Sequence, residues 1–188
     1  GQKLTPRDLV PILSQLINRL RCRFCGEKIP IRYILLELTG GCLFLVTSLG
    51  YLNINQLILL VSGMTLSLYD QRHQEYPLLI WLFSHVLLLF LTGFNLLMAI
   101  FLALGILTHF IDLRIGAGDF LFLASCSAIF NLTEVLLVLQ ISSIIGLFLF
   151  CLKSRKDRLA FIPCLFGASS ILILIKFVVF HQNILCLI

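Results

Sequence analysis

Charge is what this chain lacks. Only 12% of its 188 residues are Asp, Glu, Lys or Arg, while 60% are hydrophobic and the mean hydropathy is +1.06. A soluble domain of this size cannot hide so much apolar surface, so the composition excludes a water-soluble globule and points to a polytopic membrane protein. No cleavable signal sequence is recognisable, because the first 32 residues are polar and basic. No internal repeat and no low-complexity linker interrupts the chain. That leaves a short cytosolic segment, 1–32, followed by one membrane-embedded bundle, 33–188. Isolated strands are excluded as spanning elements, because lipid offers no partner for their backbone groups. The expected fold is all-α, a bundle of about seven transmembrane helices behind a short cytosolic N-terminal segment.

The apolar runs fall at roughly 33–52, 55–69, 78–91, 96–111, 120–130, 134–152 and 160–180. The first, fourth, sixth and seventh are long enough to cross a bilayer. The third and fifth are short against the ~20 helical residues a crossing needs, so they are re-entrant or continue into the flanking polar loops. Basic residues are missing from alternate loops. Lys3, Arg7, Arg19, Arg21, Arg23, Lys28 and Arg32 precede the first run, and Arg72, Arg114, Lys153, Arg155, Lys156 and Arg158 lie in loops 70–77, 112–119 and 153–158. Loops 53–55, 92–95 and 131–133 carry none. If every run crosses, 13 of the 14 Lys and Arg are cytoplasmic, as the positive-inside rule requires. The exception, Lys176, sits late in the last run, where it can snorkel outward. The net charge of +5 therefore follows topology and is no nucleic-acid signature. Small residues at Gly40-Gly41, Gly63, Gly105, Gly146 and Gly167-Ala168-Ser169-Ser170 are expected to let helices approach closely.

With so few charges, Asp70 and Asp119 stand out. Each lies in a polar stretch at the edge of an apolar run, and an acid there usually marks a functional site. Asp119 closes Gly116-Ala117-Gly118-Asp119 and precedes the next run. It also reads as a helix N-cap with a glycine turn before it, and the two roles are compatible. Asp70 stands at the end of a run, where a helix dipole disfavours negative charge. Its simplest alternative is a solvated residue pairing with Arg72 or His73. On topology both acids face the cytoplasm. Two carboxylates sharing a water and a proton are the machinery of an aspartic protease. A helix C-terminus at Asp70 and an N-terminus at Asp119 would push their proton affinities apart.

Other polar residues read more simply. His73 has no further ligands at metal spacing. His85 and His109 fall inside apolar runs as interhelical hydrogen-bonders. Glu75 and Asp112 flank the acid pair and either assist it or hydrate the loop. Glu37 and Glu134 suit helix starts, and Pro77 separates the Asp70 stretch from the next span. Of seven cysteines, Cys42, Cys126, Cys151, Cys164 and Cys186 lie in apolar runs. Cys22 and Cys25 differ. Their Cys-x-x-Cys supplies half of a four-cysteine zinc site, and no second soluble pair follows it. A reducing compartment argues against a structural disulfide.

These features together resemble the bacterial type IV prepilin peptidases, membrane aspartic proteases. The resemblance runs through Asp8-Leu9-Val10-Pro11-Ile12-Leu13-Ser14, Arg21-Cys22-Arg23-Phe24-Cys25-Gly26, Ile29-Pro30, Tyr33 and Glu37. It continues through Asp70 to Pro77, Gly116-Ala117-Gly118-Asp119 with Phe122-Leu123-Ala124, and Phe161-Ile162-Pro163. Its style is most similar to the competence-pilus branch of Gram-positive bacteria. The resemblance implies an enzyme of the bacterial plasma membrane with Asp70 and Asp119 as catalytic residues at the cytoplasmic face. Its partners would be prepilins or pseudopilins, cut after a glycine, and the lipid bilayer. Many members then N-methylate the new terminus with S-adenosylmethionine. Proteolysis itself needs no cofactor. The resemblance also places another Cys-x-x-Cys pair and a further helix upstream of Gly1. The chain is thus expected to lack its beginning, and zinc is expected only where that segment is complete.

Two positions depart from the family pattern. Leu78 replaces an acid after the loop proline, and Leu121 replaces a lysine two residues after the second aspartate, which puts contacts around the pair in doubt. The presenilin and signal-peptide-peptidase group also joins Tyr-Asp, here Tyr69-Asp70, to Gly-x-Gly-Asp, but its Pro-Ala-Leu motif is missing at Ile162-Pro163-Cys164-Leu165. A small transporter or assembly factor would instead carry polar residues deep in several spans, and they are sparse.

Overall fold

The computed structural model describes residues 14, 17, 18, 20–22, 25–74, 76–111, 116–152 and 160–185. The described residues form seven α-helices and no named strand: α1 (Ile31–Ser48), α2 (Ile54–His73), α3 (Leu78–Thr92), α4 (Leu96–Phe110), α5 (Ala117–Cys126), α6 (Leu132–Leu152) and α7 (Ile162–Leu185). Each helix overlaps one apolar run of the sequence. The all-α expectation holds. Three helices are long and apolar enough to cross a membrane, namely Ile31–Ser48, Leu132–Leu152 and the Ile162–Val179 part of α7. The third, fourth and fifth helices are shorter apolar elements. With 10 residues, α5 spans only ~15 Å.

The chain divides into two compact units, Gly1–Leu52 and Asn53–Ile188. In the first, an isolated bridge between Arg21 and Lys28 closes a small hairpin around Cys22 and Cys25. Pro30 then starts α1, as expected of a residue with fixed φ and no N–H to leave unpaired. No residue of α1 is buried. Glu37 lies in the second turn of α1, away from its start, so the dipole argument does not apply to it. Most of the amphipathic stretch Leu9, Val10, Ile12, Leu13, Leu16, Ile17 and Leu20 lies outside the described residues.

The second unit is built from helix faces. The third helix buries Trp81, Ser84, His85 and Leu88, an i, i+3, i+4, i+7 stripe. Its opposite face exposes Leu79, Phe83 and Phe90, the last at 87%. The sixth helix repeats the pattern, with Val135, Val138, Ser142 and Gly146 inside and Ile144, Leu147 and Phe148 outside. Large apolar side chains facing outward on this scale would aggregate in water and suit contact with lipid. The fifth helix is enclosed, with Phe122, Leu123, Ala124, Ser125 and Cys126 all buried.

Close approach is concentrated where α2, α5 and α7 meet. A Cβ on Gly63 would stand 2.8 Å from the Phe166 ring and 3.1 Å from that of Phe122. Gly105 similarly lies against Leu121. Four of the buried serines need no partner across helices. Ser62, Ser127, Ser142 and Ser169 each donate to a carbonyl three residues back in their own helix.

Away from the candidate site, Lys176 and Glu134 form an ion pair with 2.6 Å between Nζ and Oε1. Glu134 also accepts the Asn131 N–H at 3.1 Å, closing the first turn of α6. Lys176 further lies over the Phe130 ring, 5.6 Å from its centre. The one basic residue outside the charge pattern is thus paired with a carboxylate on the neighbouring helix.

Candidate active site

Three helix ends converge on the candidate site: the C-terminus of α2, the N-terminus of α5 and the N-terminus of α7. Asp70 lies in the last turn of α2, which continues to His73. Its carbonyl accepts the N–H of Gln74, a left-handed capping residue at φ 51°. The side chain of Asp70 accepts a hydrogen bond from the Ile162 N–H at the first turn of α7. One of the free donors of that helix end is thereby satisfied by a carboxylate from α2. The side chains of His73 and His109 lie outside the described set, as do Glu75 and Asp112.

Asp119 is not the N-cap of α5. Gly116 is the cap, and Asp119 stands three residues later in the first turn. Its carboxylate reaches back to accept the Gly116 N–H. This is the returning half of a capping box. Both acids therefore sit within helix ends, rather than in the loops their polar neighbours imply.

Burial pushes the Asp119 carboxyl up, and the negative charge of Asp70 pushes it further, to about 6; the Gly116 N–H only partly offsets this. Asp70 is also raised by burial, against which the Ile162 N–H works. The asymmetry expected from helix dipoles is present with its order reversed. Half a unit of charge at a helix end is outweighed by desolvation and by a like charge nearby. Asp119 takes up a proton as the pH falls through about 6, and the Ile162 N–H favours the ionised form of Asp70 against its burial.

Tyr76 escaped notice in the sequence. It immediately precedes Pro77, the N-cap of α3. Its ring packs on the backbone of Gly118, where a Cβ would stand 2.5 Å from Cδ2 and 2.9 Å from Cγ. Gly118 has no positive φ. The Gly-x-Gly spacing therefore serves close contact at its second glycine, not an unusual backbone turn. By contrast, a Cβ on Gly116 would meet Asp119 Oδ2 at an ordinary 3.4 Å.

A buried polar group fixes α5 beyond the acid. Trp81 Nε1 donates to the Leu121 carbonyl at 2.9 Å and to Ser125 Oγ at 3.0 Å. His85 Nδ1 stands 3.0 Å from the same hydroxyl. The Trp81 and His85 rings stack with centroids 4.8 Å apart. His85 is thus an interhelical hydrogen-bonder, as its position in an apolar run implied. Leu121, at the departing family position, offers its backbone carbonyl to Trp81.

Cys22 and Cys25 occupy a tight turn. Gly26, at φ +71°, donates to the Cys22 carbonyl at 2.9 Å, and the Cys22 N–H donates to Glu27 at 2.8 Å. Such a turn can present two thiolates to one metal ion, half of a tetrahedral set. Among the described residues no group of three or more His, Cys, Asp or Glu could hold a metal.

Residues 1–51 match the family described as Bacterial Peptidase A24 N-terminal domain, nearly the extent of the first compact unit. The chain is 40% identical over 48 residues to a prepilin leader peptidase/N-methyltransferase of Bacillus subtilis (strain 168), covering 26% of this chain and 19% of that protein. It is 29% identical over 159 residues to a protein of the same name from Neisseria gonorrhoeae, covering 73% of this chain and 55% of that one. The matched stretch is thus about half or less of these relatives' length. No solved structure matches. Carried by an A24-type N-terminal segment and by a longer stretch that includes most of the chain, the likeness is to the type IV prepilin peptidases.

Proposed function

We propose that this chain is an aspartic endopeptidase of the bacterial plasma membrane that removes the leader of type IV prepilins or pseudopilins after a glycine, at the cytoplasmic face. The convergence of Asp70 and Asp119 carries the proposal, with Asp119 raised by the charge of Asp70. Asp70, ionised, takes a proton from water, and the water oxygen bonds to the scissile carbonyl carbon. Asp119 gives its proton to the carbonyl oxygen. As the C–N bond breaks, the amine takes the proton held by Asp70, and the collapsing diol returns one to Asp119. One water is consumed, and both carboxyls end as they began. The test is incubation of the membrane-reconstituted chain with a leader-bearing prepilin. A product beginning just after the glycine supports the proposal. An uncut prepilin under conditions where a known prepilin peptidase cuts it overturns it.

The same proposal places seven segments across the membrane with residues 1–32 inside and the C-terminus outside. Cysteine labelling at residues 53–55 is expected from the outer face, and at 153–158 from the inner face only. Labelling of both loops from one side would exclude this topology.

Methylation with S-adenosylmethionine belongs to the proposal only where that second activity is retained. Zinc belongs to it through Cys22 and Cys25, which supply two of the four ligands that a closed structural site needs. Metal analysis of the 188-residue chain is expected to give well under one zinc per chain. One zinc per chain, lost on Cys22→Ser, would show that the set is completed within this sequence or by a second copy.

A further inference from the structure

We infer that Tyr76 is a third catalytic residue, its hydroxyl donating a hydrogen bond to the carbonyl oxygen of the scissile bond between the two carboxylates. The inference rests on the aspartic-protease proposal and adds a group that the Asp pair alone does not contain. Three observations carry it. First, the Tyr76 hydroxyl is buried and has no hydrogen-bond partner among the described residues. A phenol O–H removed from water without a partner is costly, so such a group usually has a ligand to meet. Second, the ring is fixed. It lies on Gly118, one residue before Asp119, and Pro77 restrains the chain immediately after it. Third, burial above all, and then the neighbouring Cys126, Asp119 and Asp70, push the Tyr76 hydroxyl up and hold its proton in place.

That combination suits a donor and not a base. A phenol beside two carboxylates resists ionisation and so remains O–H throughout the reaction. When water adds to the carbonyl carbon, the π electrons move to the carbonyl oxygen. That oxygen receives the proton of Asp119, and the Tyr76 O–H stabilises the charge that develops before transfer is complete. Tyr76 neither gains nor loses a proton. The bonds formed and broken remain those of peptide hydrolysis.

Tyr76→Phe is the test, because it keeps the ring on Gly118 and removes only the hydroxyl. A buried hydroxyl without a partner costs the resting fold its desolvation, so the variant is expected to fold with a thermal midpoint equal to or above that of the parent. For cleavage of a leader-bearing prepilin, kcat is expected to fall roughly 10²-fold with KM unchanged. The infrared carboxyl band that disappears in Asp119→Asn is expected to shift in Tyr76→Phe. An unchanged kcat overturns the inference. So does a fall accompanied by a lower thermal midpoint and an unmoved band, which would make Tyr76 a packing residue. If the unmodified chain cuts no prepilin, the proposed function fails and the infrared measurement decides Tyr76 alone: a shifted band retains it as a polar group of the acid site, an unmoved band removes it.

Discussion

Asp70→Asn and Asp119→Asn are each expected to lower prepilin cleavage by ~10³-fold or more, because residues that act as a unit fail together when either is removed. The two variants are expected to differ in every other respect. Asp119 is raised from its usual value of 3.8 to about 6, so the folded chain binds its proton more tightly than the unfolded one. The stability this contributes is complete below pH ~4 and is lost as pH rises through ~6. At pH 7 the ionised, largely buried carboxylate therefore opposes folding. Discounted for its partial exposure, the effect is ~1–2 kcal/mol. Asp119→Asn is expected to melt higher than the parent at pH 7 and to lose that advantage at pH 4. Asp70→Asn removes the carboxylate that accepts the Ile162 N–H, and it also relieves Asp119 of a neighbouring charge. In that variant the Asp119 titration is expected to move down. An Asp119 titration unmoved by Asp70→Asn would show that the two acids do not share a site.

The same values set the pH profile. On the proposed mechanism Asp119 acts protonated and Asp70 ionised, so kcat/KM is expected to be bell-shaped with its alkaline limb near pH 6. The limbs report apparent values of the pair. A profile flat from pH 5 to 8 would be incompatible with Asp119 as the proton donor.

What was legible in the sequence was whatever depends on one stretch of chain. Helix positions followed from apolar runs, and the prominence of Asp70 and Asp119 followed from the scarcity of charge around them. The errors arose where the answer lies between distant stretches. Dipole reasoning weighed each acid against its own helix. It missed both the desolvation of Asp119 and the α7 terminus 92 residues away that steadies Asp70 (162 minus 70). Tyr76 gave no local signal, because a tyrosine before a proline is an ordinary loop pair. Its meaning appears only when Gly118 is brought beneath the ring. Trp81 and Ser125 were invisible for the same reason, since a tryptophan and a serine in apolar runs read as core until an N–H is seen to find a hydroxyl 44 residues on. Lys176 was an anomaly of topology until Glu134 was found beside it.

Gly118→Ala is the substitution in which that long-range contact should show most plainly. On propensity alone, alanine near a helix start is favoured over glycine by up to ~1 kcal/mol. Contact opposes it, because the new methyl would stand 2.5 Å from Cδ2 of Tyr76, 2.9 Å from Cγ and 3.0 Å from Cε2. The overlap involves the root of the ring as well as its edge, so no rotation about the ring axis relieves it. Overpacking of this kind costs ~1–3 kcal/mol or displaces one partner. Either the ring leaves the acid pair or the first turn of α5 carries Asp119 away from it. A displacement of ~1 Å at reacting groups costs ~10²-fold in rate. Gly118→Ala is therefore expected to lose ~10²-fold in kcat, whereas Gly116→Ala, with Asp119 Oδ2 at 3.4 Å, should stay within ~3-fold of the parent. Removing the ring separates contact from backbone. In the background of Tyr76→Leu, which has already lost the phenol, Gly118→Ala is expected to cost little more, a non-additivity reported by a double-mutant cycle. Equal losses from Gly118→Ala in both backgrounds would mean that the glycine is required for some reason other than Tyr76.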